Sequence, residues 1–386
     1  MNRAHKYRIY PTFEQEEQLE KTFGCCRFVY NAVLDLQNRR HENGEKYLSK
    51  MNANNWCNRE LKPANEWLRE VDKFAVTNAI FSLDAGFKRF FDKLGGYPKF
   101  KSRKRSRKSY TTNYTNGNIR VHKNSIKLPK LGELKAVIHR MAPEEWTLKS
   151  ATVSEERDGT FYCSVLYEFA EAGNSMTSGC MTDTEMNVTP DISKLKVIGL
   201  DYKSDGLYED SKGHVAGSPM YYRKSMQLLA KRQRKLKHKS IGSKNYEKQQ
   251  KKIAKLHRHT ANQRKDYLHK ESLSIAKTYD VVCVEDLDMR AMSNKGFGNG
   301  RATLDNGYGM FLTMLKYKLE ERGKHLIKVD KWYASSQICS ACGRKQKLQL
   351  SNRIYRCECG LVLGRDENAA INIREEGLRI YLSKTA

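Results

Sequence analysis

The chain has 386 residues, with 71 Lys and Arg against 44 Asp and Glu, a net charge of +27 and a pI near 9.6. Hydrophobic residues make up 39%, enough for real cores, so wholesale disorder is excluded, and at ~100–200 residues per domain the length predicts two or three domains. No run approaches the ~20 consecutive apolar residues of a membrane helix, which excludes an integral membrane protein of the helical kind.

The first residues, Met1 to Lys6, lack the apolar core of a secretory signal. A cytoplasmic, nucleoid-associated location is expected, where ten cysteines serve as thiols or metal ligands rather than disulfides. Residues 1–12 alternate apolar and polar side chains and stop at Pro11, the pattern of a strand and turn. From Phe13 to about Gly44, Leu19, Phe23, Cys26, Val29, Tyr30, Val33 and Leu34 recur at helical spacing. A second helical block is predicted from about Ala64 to Leu94, carrying Trp67, Val71, Phe74, Ile80, Phe87 and Phe90. The run Lys99–Lys108 then holds seven Lys and Arg and no acid. Strands follow: Tyr110–Arg120 contains the turn signal Asn116-Gly117, and Ala151–Phe169 forms two alternating runs about Asp158-Gly159. This half is expected to be a small β-barrel with a helical insertion.

Residues 171–195 are Ser/Thr-rich and acidic in an otherwise basic chain, which marks a linker. Beyond it come an apolar strand ending in Asp201, a basic helical hairpin over 223–277, and a strand Val281–Glu285. A helix from about Asn306 to Arg322 and a strand Leu326–Val329 follow. Alternation of this kind predicts an α/β sheet. The stretch Arg223–Lys277 carries eighteen Lys and Arg against three acids. Its surplus, like that of 99–108 with Lys101 and Arg103, calls for a polyanion, and the interleaved aromatics favour nucleic acid over a membrane surface.

Cys339-Ser-Ala-Cys342-Gly343 is followed by Cys357-Glu-Cys359-Gly360. Four thiolates close a tetrahedral zinc site, with glycines allowing the tight turns, although the second pair has one intervening residue instead of two. All four ligands are protein atoms, so the zinc is structural. Cys25, Cys26, Cys57, Cys163, Cys180 and Cys283 lack such spacing and are expected to be apolar fillers. Three acids fall where a sheet presents chemistry: Asp201 and Glu285 at strand ends, and Asp366 before a helix. If they converge, they repel unless cations sit between them, and two Mg²⁺ ions there support phosphodiester hydrolysis. Taken singly, each reads more readily as a turn or cap residue than as a ligand, and the order strand-Asp, strand-Glu, helix-Asp brings the two readings level.

In combination the chain resembles TnpB, the RNA-guided DNA endonuclease family of bacterial insertion sequences, related to type V CRISPR effectors and Fanzors. The resemblance runs through Tyr7-Arg-Ile-Tyr-Pro11, Thr22–Asn31, Val71–Ala75, Tyr97–Lys101, Lys127–Gly132, Tyr221–Ser225 and Asn262–Asp266. It continues through Val284–Leu287, Asn306–Met310, Trp332–Ser336, the cysteines and Asp366-Glu-Asn-Ala-Ala370. It implies an α+β multidomain chain with a wedge β-barrel (1–12 and 110–180) holding a helical recognition insert (13–109). A linker (181–195) would lead to a RuvC-like, RNase H-type nuclease (196–330 and 361–386) with a zinc-ribbon-like target-nucleic-acid insert (331–360). By the same likeness Asp201, Glu285 and Asp366 are the catalytic Mg²⁺ ligands, Asp201 touching both ions. Lys73, Phe74, Thr77, Tyr110 and Thr112 fall where the family reads a short duplex motif. Arg264 and Lys265 either line a guide–target heteroduplex or form a solvated face, and Arg365 either steadies the scissile phosphate or caps a turn.

The implied partners are a guide RNA from the element's own end, one protein copy per RNA, and double-stranded target DNA chosen by base pairing. A CRISPR-derived guide, or RNA-guided repression without cutting, are the alternatives. Two positions depart from the family pattern. Lys203 stands where a small or apolar residue is usual, and Gly364 replaces the first acid of Asp-Arg-Asp.

Overall fold

Alternation shapes the first strand of the structure, a computed structural model that describes residues 2–169, 194–294, 300–349 and 352–385. Strand β1 (Asn2–Tyr10) buries His5, Tyr7 and Ile9 and turns its other side chains outward. Thr12 then caps α1 (Phe13–Glu42) in a capping box with Gln15. Helix α2 (Lys50–Trp56) continues as a π turn, Cys57–Leu61, and a 3₁₀ turn covers Glu66–Arg69 before α3 (Lys73–Phe91). The single block expected from about Ala64 to Leu94 is therefore broken. Asp72 accepts a hydrogen bond from the Ala75 N–H at 3.2 Å and starts a new helix there. These helices bury Val29, Val33, Leu34, Leu68, Ile80 and Leu83 in one shared core.

Six more strands complete the first unit, Met1–Gly179: β2 (Lys108–Asn113), β3 (Arg120–Val121), β4 (Ser125–Leu128), β5 (Gly132–Val137), β6 (Thr147–Glu155) and β7 (Phe161–Glu168). With β1 they form a seven-stranded antiparallel sheet in the order β2-β6-β7-β1-β5-β4-β3. Asn116 and Gly117 both take positive φ, 49° and 70°, as their turn requires, and Gly159 (φ 80°) turns the β6–β7 hairpin. Phe23 and Cys26 of α1, with Ala75 and Ala79 of α3, join the core of this sheet. The linker expected over 181–195 lies outside the described residues up to 193, as does Cys180.

The second unit, Cys180–Ala386, is built on a five-stranded sheet. Its elements are β8 (Val197–Tyr202), β9 (Gly206–Asp210), β10 (Val215–Gly217), α4 (Tyr221–Lys237), α5 (Lys244–Thr278), β11 (Val281–Glu285), α6 (Met289–Met292) and α7 (Gly300–Asn306). Then come α8 (Tyr308–Glu320), β12 (His325–Val329), the hairpin β13 (Ile354–Arg356) and β14 (Val362–Gly364), and α9 (Arg365–Thr385). The order is β10-β9-β8-β11-β12, with β8, β11 and β12 parallel. The helix expected from about Asn306 to Arg322 is α8, set off from α7 by Gly307, whose φ of 70° suits glycine.

Period-two geometry sorts this sheet into two faces. Ile198, Leu200, Val282 and Val284 pack with Leu268, Ile275, Phe311 and Leu315 of α5 and α8. Val281, Cys283, Ile327 and Val329 pack with Ile373 and Tyr381 of α9. Among the described residues no helix is long and apolar enough to cross a membrane.

Helix α9 lies very close to its face of the sheet. A Cβ on Gly199 would stand 2.0 Å from the Ala370 carbonyl oxygen and 2.7 Å from the Arg374 amide nitrogen. Both are backbone atoms that no rotamer change can move aside. Gly199→Ala is therefore expected to cost about 4 kcal/mol or more, in the range reserved for exceptional substitutions. Urea denaturation of the full chain checks this, with Gly96→Ala, where no atom lies within 4 Å of the new methyl, leaving the midpoint unchanged.

Candidate active site

The same period-two rule aims the acids. Asp201 follows Val197 and Gly199 on the α9 face of β8, and Glu285 follows Val281 and Cys283 on the α9 face of β11. β8 and β11 are parallel, in register from Val197↔Val281 to Leu200↔Val284, so the two acids end neighbouring strands at the same edge. Asp366 stands in the first turn of α9. Burial, then the carboxylates of Glu285 and Asp366, drive Asp201 well above the usual carboxylate range. Burial also raises Glu285, against the pull of the Ser335 hydroxyl that donates to Glu285 Oε1 at 2.6 Å.

A fourth acid joins them that sequence reasoning missed. Glu209 of β9 is the direct ladder partner of Asp201 and shares its face. The short connection Lys203–Asp205 between β8 and β9 sets the register that puts Glu209 opposite Asp201. Lys203 bridges this group, its ammonium 2.6 Å from Glu209 Oε2 and 3.2 Å from Asp366 Oδ2, and Glu209 and Asp366 keep it charged against the cost of burial. Arg365 adds a second positive charge, 3.5 Å from Asp366 Oδ1, that opposes the upward shift of Asp201. Gly364 ends β14, and a Cβ there would lie 3.7 Å from Glu209 Oε1. Asn306 donates to the carbonyls of Ser204 (2.8 Å) and Lys203 (3.4 Å), fixing the loop that leaves Asp201.

The cysteines converge. Sγ of Cys339 lies 3.6 Å from that of Cys359, and Sγ of Cys342 lies 3.6 Å from that of Cys357. A tetrahedron with sulfur ~2.3 Å from its centre has sulfur–sulfur edges of ~3.8 Å, so the spacing suits one metal ion. Gly343 (φ 75°) and Gly360 (φ 95°) close the two knuckles, and the second, with its single intervening residue, closes as the first does. Burial works against ionising Cys339, but the N–H groups of Cys342 and Ala341 and the neighbouring thiols bring it down to about 7. Among the described residues this is the one group of three or more such ligand atoms within 4.8 Å of each other, and the acids are not drawn in that far. Cys25, Cys26, Cys57, Cys163 and Cys283 are buried thiols apart from this cluster.

Two asparagines of α9 fasten the cluster to the acids. Asn372 donates to the carbonyls of Ser335 (2.8 Å) and Ile338 (2.7 Å), and Asn368 donates to Ile338 O (2.7 Å) and accepts from the Ser340 N–H (3.0 Å). Ser335, which holds Glu285, and Cys339 thus hang from the helix that carries Asp366.

The remaining expected contact residues are dispersed. Lys73 is exposed with its ammonium 5.1 Å from the Phe74 ring, and the Thr77 hydroxyl donates to Asn54. Arg103 is exposed, while Lys101 is part-buried with its ammonium 3.7 Å from the Tyr30 ring. Lys265 is exposed, and Arg264 donates to the Leu304 carbonyl at 2.7 Å, so it braces α7. Tyr110 and Thr112 correct the sequence reading. They are 5% and 0% exposed, because alternation along β2 turns both inward, against Phe23 in the case of Tyr110. The outward residues of that strand are Ser109, Thr111 and Asn113.

Comparison with known proteins gives three matching family models: a "Helix-turn-helix domain" over residues 1–46, a "Probable transposase" over 181–296, and a "Cas12f1-like, TNB domain" over 308–373. In this chain the first of these spans one strand and the whole of one long helix. A Streptomyces pristinaespiralis protein named "Putative RNA-guided DNA endonuclease" is 34% identical over 98% of this chain and 90% of its own length. "Putative RNA-guided DNA endonuclease InsQ" of Escherichia coli K12 is 31% identical over 97% and 92%. Among solved structures, a Cas12f1-sgRNA-target DNA complex matches in fold with a TM-score of 0.58 at 12% identity, over 97% of this chain and 98% of that one.

Two outcomes are expected from this geometry. The raised Asp201 carboxyl means that the folded state holds the neutral form better than the unfolded state does. Its ionisation therefore lowers stability as pH rises above about 4, the unfolded value. Asp201→Asn should melt about 2–4 °C higher than the natural protein at pH 7 in EDTA, the shift that ~1 kcal/mol gives a unit of this size, with the difference vanishing near pH 4. Asn372→Ala leaves the Ser335 carbonyl without its donor and the Ile338 carbonyl with Asn368 alone, and should cost about 1–3 kcal/mol by urea denaturation.

Proposed function

The chain belongs to the TnpB family of RNA-guided DNA endonucleases, and on that premise we propose that it cuts guide-complementary double-stranded DNA beside a short flanking motif, by phosphodiester hydrolysis at Asp201, Glu285 and Asp366. The observation that carries this reading is the meeting of three acids, far apart in sequence, at one edge of a parallel sheet, with the Asp201 carboxyl pushed up by burial and by its neighbours' charge. We assign the seven-stranded sheet of 1–12 and 110–180 to a wedge barrel and the helices of 13–109 to a recognition insert. Residues 181–195 are the linker, 196–330 and 361–386 a RuvC-like nuclease, and 331–360 its zinc-bearing target-nucleic-acid insert.

The donor set suits hard divalent cations, since every acid in the group offers carboxylate oxygen and none offers sulfur or imidazole. Two bound Mg²⁺ ions supply an activated water and charge stabilisation at the leaving oxygen. The chain's own contribution is to place oxygen ligands. Asp201 sits centrally, flanked by Glu285 on the next strand and Asp366 on α9. Ser335 orients Glu285, and Arg365 offers positive charge to a phosphate. The four cysteines hold a structural zinc. The surplus of +27, with α4 and α5 richly basic, suits a guide RNA and its DNA partner.

Binding without cutting is a second reading, and one observation favours it: the Lys203 ammonium already sits on Asp366 and Glu209. One experiment separates the two. Protein co-purified with its RNA is offered matched duplex DNA with randomised flanks, with and without Mg²⁺. Mg²⁺-dependent products beside a defined flank, lost by at least a thousandfold in Asp201→Ala and Glu285→Gln, are expected, an order of magnitude typical of losing essential catalytic electrostatics. Tight binding with no cleavage, restored by Lys203→Ser, would instead establish the second reading.

A further inference from the structure

We propose that Trp332 is a stacking platform for an unpaired base of the DNA strand held at the carboxylate site. The proposal deepens the endonuclease reading and rests on it for the identity of the strand.

The placement comes first. β12 ends at Val329, the ladder partner of Glu285, and the Asp286 N–H donates to the Val329 carbonyl at 2.9 Å. The chain leaves that edge in a tight turn. Trp332 N–H donates to Asp330 Oδ1 (2.7 Å), Tyr333 N–H to the Asp330 carbonyl (3.0 Å), and Ser335 N–H to the Tyr333 carbonyl (2.8 Å). Ser335 Oγ then donates to Glu285. The backbone bearing Trp332 is therefore pinned at both ends, three residues from the hydroxyl that orients a catalytic acid.

The exposure comes second. Tyr333 packs against the α9 side of the sheet, yet Trp332 is 82% exposed, against 42% for Trp67, the next most exposed tryptophan. A large apolar ring on a rigid turn, turned away from the core, is unfavourable for folding alone. The Lys331 ammonium stands 5.1 Å from its ring centroid.

A π face beside a single cation complements one nucleotide, base on ring and phosphate on ammonium. Stacking of this type tolerates any base, as an enzyme must when pairing to a guide chooses its target. A strand seated on the ring would be held beside the Glu285 edge of the acid cluster, so the contact would index the strand along the site.

The test uses the full-length protein, with tryptophan emission reading the stack and anisotropy of 5′-labelled strands reading affinity. Oligothymidylate of about 20 nucleotides and an abasic strand of equal length are titrated at fixed salt, without divalent cations. Thymidylate is expected to quench emission and the abasic strand to leave it unchanged. In Trp332→Ala the quench disappears and thymidylate affinity falls about 5- to 100-fold, the range of one lost base stack. Trp332→Phe recovers the affinity but not the signal. Equal quenching in Trp332→Ala, or equal wild-type affinity for the two strands, would overturn the proposal. Asp201→Ala is run in parallel. Loss of its cleavage is the check on the endonuclease reading, whereas its quench is expected to persist, so failure of either idea is seen separately.

Discussion

The second unit depends on how closely α9 approaches the sheet. Two glycines permit it from opposite sides. Gly199 on β8 admits the α9 backbone, and Gly377 on α9 admits Cys283, whose Sγ would lie 2.3 Å from any Cβ placed there. Ala369 and Ala370 keep the buried stripe of the helix small. A helix held this tightly has no freedom to lift or slide, because interiors packed at this density transmit displacement rather than absorb it. Its first turn is therefore delivered to the ends of β8 and β11. The position of Asp366 relative to Asp201 and Glu285 follows from core packing, and the acids need no mutual attraction to meet.

That logic explains what was legible in the sequence. The strands ending in Asp201 and Glu285 showed as short apolar runs, since a parallel strand buried on both faces has little alternation to hide. Which face each acid takes follows from counting by two. The knuckle cysteines were legible because metal spacing is local. Where interactions between distant residues decide, the sequence misled. The interruption near Asp72 depends on a side chain capturing an N–H, and helical periodicity runs past it unchanged. Tyr110 and Thr112 have the chemistry of contact residues, yet the pairing of β2 with β6 turns them inward. Glu209 was missed because a hairpin partner is invisible until its register is known.

Charge is distributed in a way that bears on the reaction. The chain is strongly basic as a whole, yet Asp201, Glu209, Glu285 and Asp366 gather at one edge with Lys203 and Arg365 among them. Net positive charge draws a polyanion from a distance, with a range of ~8–10 Å at physiological salt. At the acids themselves the same phosphates would be repelled. Attraction at long range and repulsion at contact are reconciled where positive charge offsets the acids, as Lys203 and Arg365 do in part.

The segment 335–340 resolves a separation that the sequence suggested. Read as motifs, the cysteines and the acids are independent, one set structural and one catalytic. In the fold they share six residues. Ser335 holds Glu285, Ile338 and Ser340 are gripped by Asn368 and Asn372, and Cys339 begins the knuckle. The Ser335 hydroxyl bond ends on β11, while the bonds to Asn368 and Asn372, including that from the Ser335 carbonyl, end on α9, the helix that carries Asp366. Because Cys339 is flanked on both sides by residues tied to that helix, ordering of the knuckle and ordering of Glu285 draw on the same backbone. A metal that fixes four sulfurs removes freedom from this segment before any substrate arrives, which is the preorganisation that electrostatic catalysis demands of its ligands. The cysteine cluster is best understood as a strut of the active edge as well as the support of its own small hairpin.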